Sequence, residues 1–263
     1  MRRFVLFFCA LIFCAAARAA AQSRTQDLRP TPPEYWNPGK YTLDAMLSGI
    51  YLKGNVDNTA LSGSINYMTR FNDRNQLAID GNASYTSFND NILLDNLKAS
   101  AVYAYALKKD RLNLFLLSTH ARNQAIKLDY RTTNGIGLCV HGFLPEVFNP
   151  VLLSLGVTPE HESYSDGNSD NTVRGLLRLN FRAPLNEYTT AGSDFVYAPD
   201  LAAFRDYRFY GETYLQFKIT PEKLFFRVTF SDDYDARPRP GVRKNDFAVN
   251  YSVGLHLGAP AEK

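Results

Sequence analysis

From Tyr41 to Leu257 the chain alternates apolar and polar side chains with a period of two, and no other feature restricts its fold as strongly. Phe247, Val249, Tyr251, Val253, Leu255 and Leu257 alternate with Ala248, Asn250, Ser252, Gly254 and His256. Tyr207 to Ile219 and Leu97 to Leu107 read the same way. Successive side chains of a strand point to opposite faces, so the pattern specifies strands with one apolar and one polar face. No helical stripe competes over a comparable length. Twelve such runs are predicted, at 41–53, 59–71, 76–88, 96–107, 112–122, 131–144, 151–162, 172–182, 188–198, 207–220, 224–234 and 246–257. Those at 112–122 and 131–144 are the least regular, because both of their faces carry apolar residues.

The connectors between the runs fall into two classes. Segments 72–75, 108–111, 145–150, 184–187 and 221–223 are tight, with Asn, Asp or Pro turn chemistry. Segments 54–58, 89–95, 123–130, 163–171, 199–206 and 235–245 are mostly longer, acidic or rich in Gly and Asn. Tight and long connectors alternate, as an antiparallel up-and-down β-barrel of about twelve strands requires.

Such a barrel is either soluble, with its apolar faces inside, or membrane-spanning, with its apolar faces outside. Size favours the second, since ~8 strands already enclose as much space as side chains fill. The polar rows carry Asp44, Asp80, Lys98, Arg174, Arg178, Arg182, Asp194, Arg208, Glu212, Lys218 and Arg227. Mixed charges on one wall can pair across a wet lumen. The apolar rows often begin or end in rings, as at Tyr41 and Tyr51, Tyr67 and Phe71, and Phe226 and Phe230, where interfacial girdles sit. A transmembrane barrel follows, with a periplasmic β-sandwich binding protein as the rival.

The N-terminus fits export. Met1-Arg2-Arg3 is basic, Phe4 to Ala17 is apolar and Ala19-Ala20-Ala21 supplies an A-x-A end, so 1–21 reads as a signal peptide cut before Gln22. Its apolar stretch is shorter than the ~20 residues of a spanning helix. Cys9 and Cys14 follow Phe8 and Phe13, where a lipoprotein signal needs a small residue. Removing 1–21 takes away Arg2, Arg3 and Arg18 and no acid, which brings the formal charge of +3 to zero. A neutral mature chain gives nucleic acid no electrostatic footing. Residues 22–40, with Pro30, Pro32, Pro33 and Pro38, form an extended periplasmic lead-in, and the barrel occupies 41–258. Only Cys139 remains in the mature chain, and nothing calls for a metal or another cofactor.

Several segments resemble the domain-of-unknown-function-481 family of Gram-negative outer-membrane barrels, labelled salt-induced outer-membrane proteins. These are Gly54-Asn55-Val56-Asp57 with Leu61-Ser62-Gly63-Ser64, and Arg70-Phe71-Asn72-Asp73-Arg74-Asn75. Asp95-Asn96-Leu97-Lys98-Ala99-Ser100, Asp110-Arg111-Leu112 and Asp129-Tyr130-Arg131 to Gly137 follow, then Asp206-Tyr207-Arg208 and Pro240-Gly241-Val242-Arg243-Lys244-Asn245-Asp246. The resemblance implies an outer-membrane location, contact with lipid and lipopolysaccharide, and insertion by the barrel-assembly machinery. It supplies no catalytic residue.

Arg174, Arg178 and Arg182 recur at every fourth position on one strand face, about 13 Å apart. They either form a cationic stripe for anionic solutes or pair with Asp194, Glu212 or Asp44 and brace the lumen, and bracing is the expected role. Ser118 and His120 share a face, but at ~6–7 Å they stand too far apart for a direct hydrogen bond. Glu162, Asp166 and Asp170 with His161 form an acidic segment able to meet cations, and Arg237, Arg239, Arg243 and Lys244 form a basic one able to meet lipid phosphates. The function this predicts is non-enzymatic: a stress-related structural barrel or a narrow passive channel for small solutes, with anionic ones as an option. An outer-membrane lipid- or lipopolysaccharide-modifying enzyme is the alternative.

Overall fold

The structure is a computed structural model that describes residues 41–52, 58–88, 91–109, 111–141, 151–220 and 223–258. The expected signal peptide and lead-in lie outside the described residues. The chain forms twelve strands: β1 Tyr41–Leu52, β2 Asn58–Arg70, β3 Asn75–Phe88, β4 Asn91–Lys108, β5 Leu112–Asn123, β6 Leu128–His141, β7 Val151–Tyr164, β8 Ser169–Pro184, β9 Thr189–Pro199, β10 Tyr207–Lys218, β11 Leu224–Asp235 and β12 Asn245–Gly258. Each strand pairs antiparallel with its sequence neighbours, and β12 pairs back with β1 to close the barrel. The closing seam runs from Thr42↔Gly258 to Leu47↔Val253, whereas β1 pairs with β2 along its whole length, from Tyr41↔Thr69 to Leu52↔Asn58. The start of β1 and the end of β12 therefore lie at one end, here called the terminal end, and the connector after β7 lies at the other.

The strands overrun the apolar period. β7 continues to Tyr164 and β8 starts at Ser169, so the loop expected at 163–171 shrinks to 165–168. The polar pairs Glu162↔Asp170 and Ser163↔Ser169 extend the ladder past the last apolar side chains. Backbone pairing does not need apolar residues, so it continues where the period stops. The strict alternation of tight and long connectors also fails. Connector 165–168, expected among the longer ones, is as short as 185–188 at the terminal end.

Exposure decides which face points outward. Leu97 and Leu155 are each 57% exposed, whereas Arg178 is 2% exposed. The apolar rows cover the exterior, and the charged rows line the interior. Rings gather near both ends of the outer surface. Tyr41 lies 6.3 Å from Tyr67, and Phe217 6.5 Å from Phe226, toward the terminal end. Tyr207 lies 5.6 Å from Tyr197 and 5.7 Å from Tyr234 toward the other.

The interior is less wet than its strand number suggests. Met68, Val102, Phe115, Leu117, Cys139, Leu152, Leu176, Val196 and Tyr210 belong to one buried cluster on the inner wall. Inward rings lie flat against wall glycines: a Cβ on Gly254 would overlap the Phe225 ring, and one on Gly137 would overlap Phe115. Rings that lie down across glycines fill width that upright side chains leave open. This explains why β5 and β6 read as apolar on both faces.

Candidate functional site

The half of the barrel remote from the terminal end holds a network of buried charges. Even-numbered positions of β7 and β8 face inward, which places Glu160, Glu162 and Arg174 side by side. Arg131 of β6 and Arg208 of β10 converge on them. Glu160 accepts from Arg208 Nη1 at 2.7 Å and Arg174 Nε at 3.2 Å, with Thr133 Oγ1 at 3.3 Å. Glu162 accepts from Arg131 Nε at 2.6 Å, the Tyr164 hydroxyl at 2.8 Å and Arg208 Nη2 at 3.0 Å. Arg174 Nη1 reaches Asp206 at 3.3 Å, and Arg208 Nε lies 3.6 Å from Asp235. Deeper in, Arg178 donates to Asp194 through Nε at 2.7 Å and through Nη2. A buried charge is costly unless paired and hydrogen-bonded, so these arginines and acids stabilise one another's burial.

The residues singled out from sequence are distributed as follows. Arg174, Arg178, Asp194 and Arg208 join the buried pairs just described. Glu212 accepts from the Tyr210 hydroxyl at 2.5 Å. Arg227 donates to Gln216 at 3.1 Å and stacks over Tyr214 at 4.5 Å. Asp80 accepts from Ser100, and Asp44 meets His256 Nδ1 at 2.5 Å. Lys98 is buried, Arg182 half-buried, and Lys218 exposed at the terminal end of β10. Of the partners expected for the arginine row, Asp194 is met by Arg178, while Arg174 turns to Glu160 and Asp206. Arg131, Glu160, Tyr164, Asp206 and Asp235 were not foreseen. For Glu160 and Glu162 the signal was present, since both fall on the inward parity of the run expected at 151–162.

Two other expectations change. Ser118 Oγ and His120 Nε2 lie 3.5 Å apart, closer than strand spacing suggests, because both side chains lean together. They sit on the exterior, where Ser118 donates to Asn134 Oδ1 at 3.0 Å and His120 Nδ1 meets the Tyr130 hydroxyl at 2.6 Å. With its proton directed to an amide oxygen, Ser118 is not set up as a nucleophile. The acidic and basic segments, expected as solvated loops that are able to meet cations and lipid phosphates, meet each other. Arg239 pairs with Asp166 at 3.0 Å and Asp170 at 3.1 Å, and Glu162 belongs to the buried network.

Residues 45–256 match the family model described as "Protein of unknown function, DUF481". The chain belongs to the DUF481 family. No curated protein matches the chain in sequence. Solved structures similar to this DUF481 barrel include the translocator domain of autotransporter NalP from Neisseria meningitidis, at 14% identity and a TM-score of 0.48 over 85% of this chain and 89% of that one. The NanC porin is similar at 11% identity and a TM-score of 0.45, over 83% and 98%. The KdgM porin follows at 9% identity and 0.44, over 82% and 97%.

Proposed function

We propose that this DUF481 barrel is a non-enzymatic outer-membrane protein that acts as a narrow passive channel for small solutes, its lumen braced by ion pairs. The observation that carries this reading is its sidedness: apolar rows outside, flanked by rings, and paired charges inside. Such a surface suits lipid tails, and the two ring rows suit the headgroup levels. The exposed apolar side chains would be a liability in water. The same reading has residues 1–21 removed on export and the barrel inserted by the assembly machinery among outer-membrane lipid and lipopolysaccharide.

Because Arg174, Arg178 and Arg208 are each held by carboxylates, the lumen offers anions little free positive charge. Selectivity for anionic solutes is therefore weak, and bracing is the chief role of the arginine row. Membrane fractionation with a heat-modifiability gel tests the barrel, which should appear in the outer-membrane fraction and migrate differently before and after boiling. Recovery as a soluble periplasmic protein would refute it. Planar-bilayer recording tests the channel, which should give discrete steps of low selectivity. A folded barrel that gives no steps in wild type or in any variant returns the purely structural role. Lipid turnover by the purified barrel that is lost in His120→Ala would instead establish the enzymatic alternative.

A further inference from the structure

The connector 236–244 does not stand out from its own hairpin. Arg239, between β11 and β12, reaches past β10 and β9 to the β7–β8 turn, where it pairs with Asp166 and Asp170. Its guanidinium lies 3.4 Å from the centroid of the Tyr164 ring. Val242 packs against the cluster that Tyr164 forms with Ile126 and Leu128. Ile126 and Leu128 belong to the β5–β6 side of the wall, six strands round the barrel from β11 and β12. A chain that leaves one side of a cylinder and packs on the opposite side has to lie over the opening.

The contacts are of three kinds that reinforce one another. The ion pairs are partly exposed and individually weak. The cation–π contact and the apolar seat of Val242 do not depend on them. Tyr164 also donates to Glu162, which ties the far anchor to the buried Arg131 and Arg208. At the near side, Asp235 N–H donates to the Lys244 carbonyl at 2.8 Å, which closes the base of the connector. Gly241, with φ of 84°, provides the left-handed bend that turns the chain back after Arg239.

We infer that residues 236–244 form a strap that closes the lumen mouth, and that its release from the Tyr164 anchor opens the channel. The inference rests on the channel reading above, and the test separates the two. In the full-length protein, Val242→Cys is combined in turn with Ile126→Cys and with Leu128→Cys, oxidised, and scored for a disulfide in barrels whose folding is verified by heat-modifiable migration. Arg239→Glu is compared with wild type by bilayer conductance and by swelling of liposomes in a small neutral sugar. A triple variant, Arg239→Glu with Asp166→Lys and Asp170→Lys, restores the charge complementarity.

The strap predicts a disulfide in most folded chains, a several-fold higher conductance in Arg239→Glu, a return toward wild type in the triple variant, and low conductance whenever the disulfide is closed. Absence of both disulfides from folded barrels overturns the strap. Wild-type conductance in Arg239→Glu, with steps present in both proteins, overturns its gating. A disulfide that forms in a barrel conducting in no variant overturns the channel reading, and the gating with it, while the strap's position stands.

Discussion

Removing either member of the buried Arg178–Asp194 pair leaves the other charge buried without its partner. Arg178→Ala should destabilise the folded barrel by about 3–5 kcal/mol, measured by urea unfolding in lipid vesicles. Replacing both partners by Met and Leu should recover most of that loss, because two apolar side chains leave no orphan charge. Gly254→Ala tests the packing of rings on the wall: its Cβ would collide with Phe225, at a cost of about 1–3 kcal/mol, and Phe225→Leu in the same chain should recover it. The Arg178–Asp194 pair was readable from sequence, as residues of opposite charge on neighbouring inward rows. The contacts of Arg208 with Glu160 and Glu162 were not, since they join residues 48 and 46 apart in sequence on strands that are not neighbours. Phe115 and Leu152 were missed for another reason. An apolar side chain carries no mark that tells an inward strand face from a lipid-facing one.

Strands were the most legible elements, because alternation is a direct image of the pleat. Their ends were not, since the polar overhangs of β7 and β8 obey backbone pairing after the apolar signal has stopped. The connector after β7 illustrates this, and it yields a pH prediction. Hydrogen bonds from the side chain and backbone N–H of Asn168 hold the Asp166 carboxyl below its ordinary value, with Arg239 adding to the effect. A lowered carboxyl contributes stability that is full above its unfolded-state value of ~3.9 and is lost as pH falls through the lower folded-state value. The Arg239–Asp166 contact should thus survive mild acidification, and wild-type conductance should stay constant from neutrality to about pH 5. A rise in conductance between pH 7 and 5 would show that another group controls the strap.

For the whole molecule the sidedness is the property on which most else depends, and a single exterior charge interrogates it. Leu97 points outward near the middle of β4. Leu97→Arg should cost about 2–4 kcal/mol if that surface meets lipid tails, read from unfolding in vesicles. In a barrel surrounded by water the same change would fall within about 0.5 kcal/mol. The lumen's width was misjudged at this scale, because strand number fixes the cylinder but not how far rings and arginines lean across it.

The short joint between β1 and β12 also sets an order of events. Every other neighbouring pair comes from adjacent stretches of chain, so a curved ribbon of twelve strands can assemble by successive zippering before its two edges ever meet. The final join brings together the most distant parts of the polypeptide and rests on the fewest rungs. It should be the last part of the wall to form and the first to part under strain, so the barrel carries its own hinge line there.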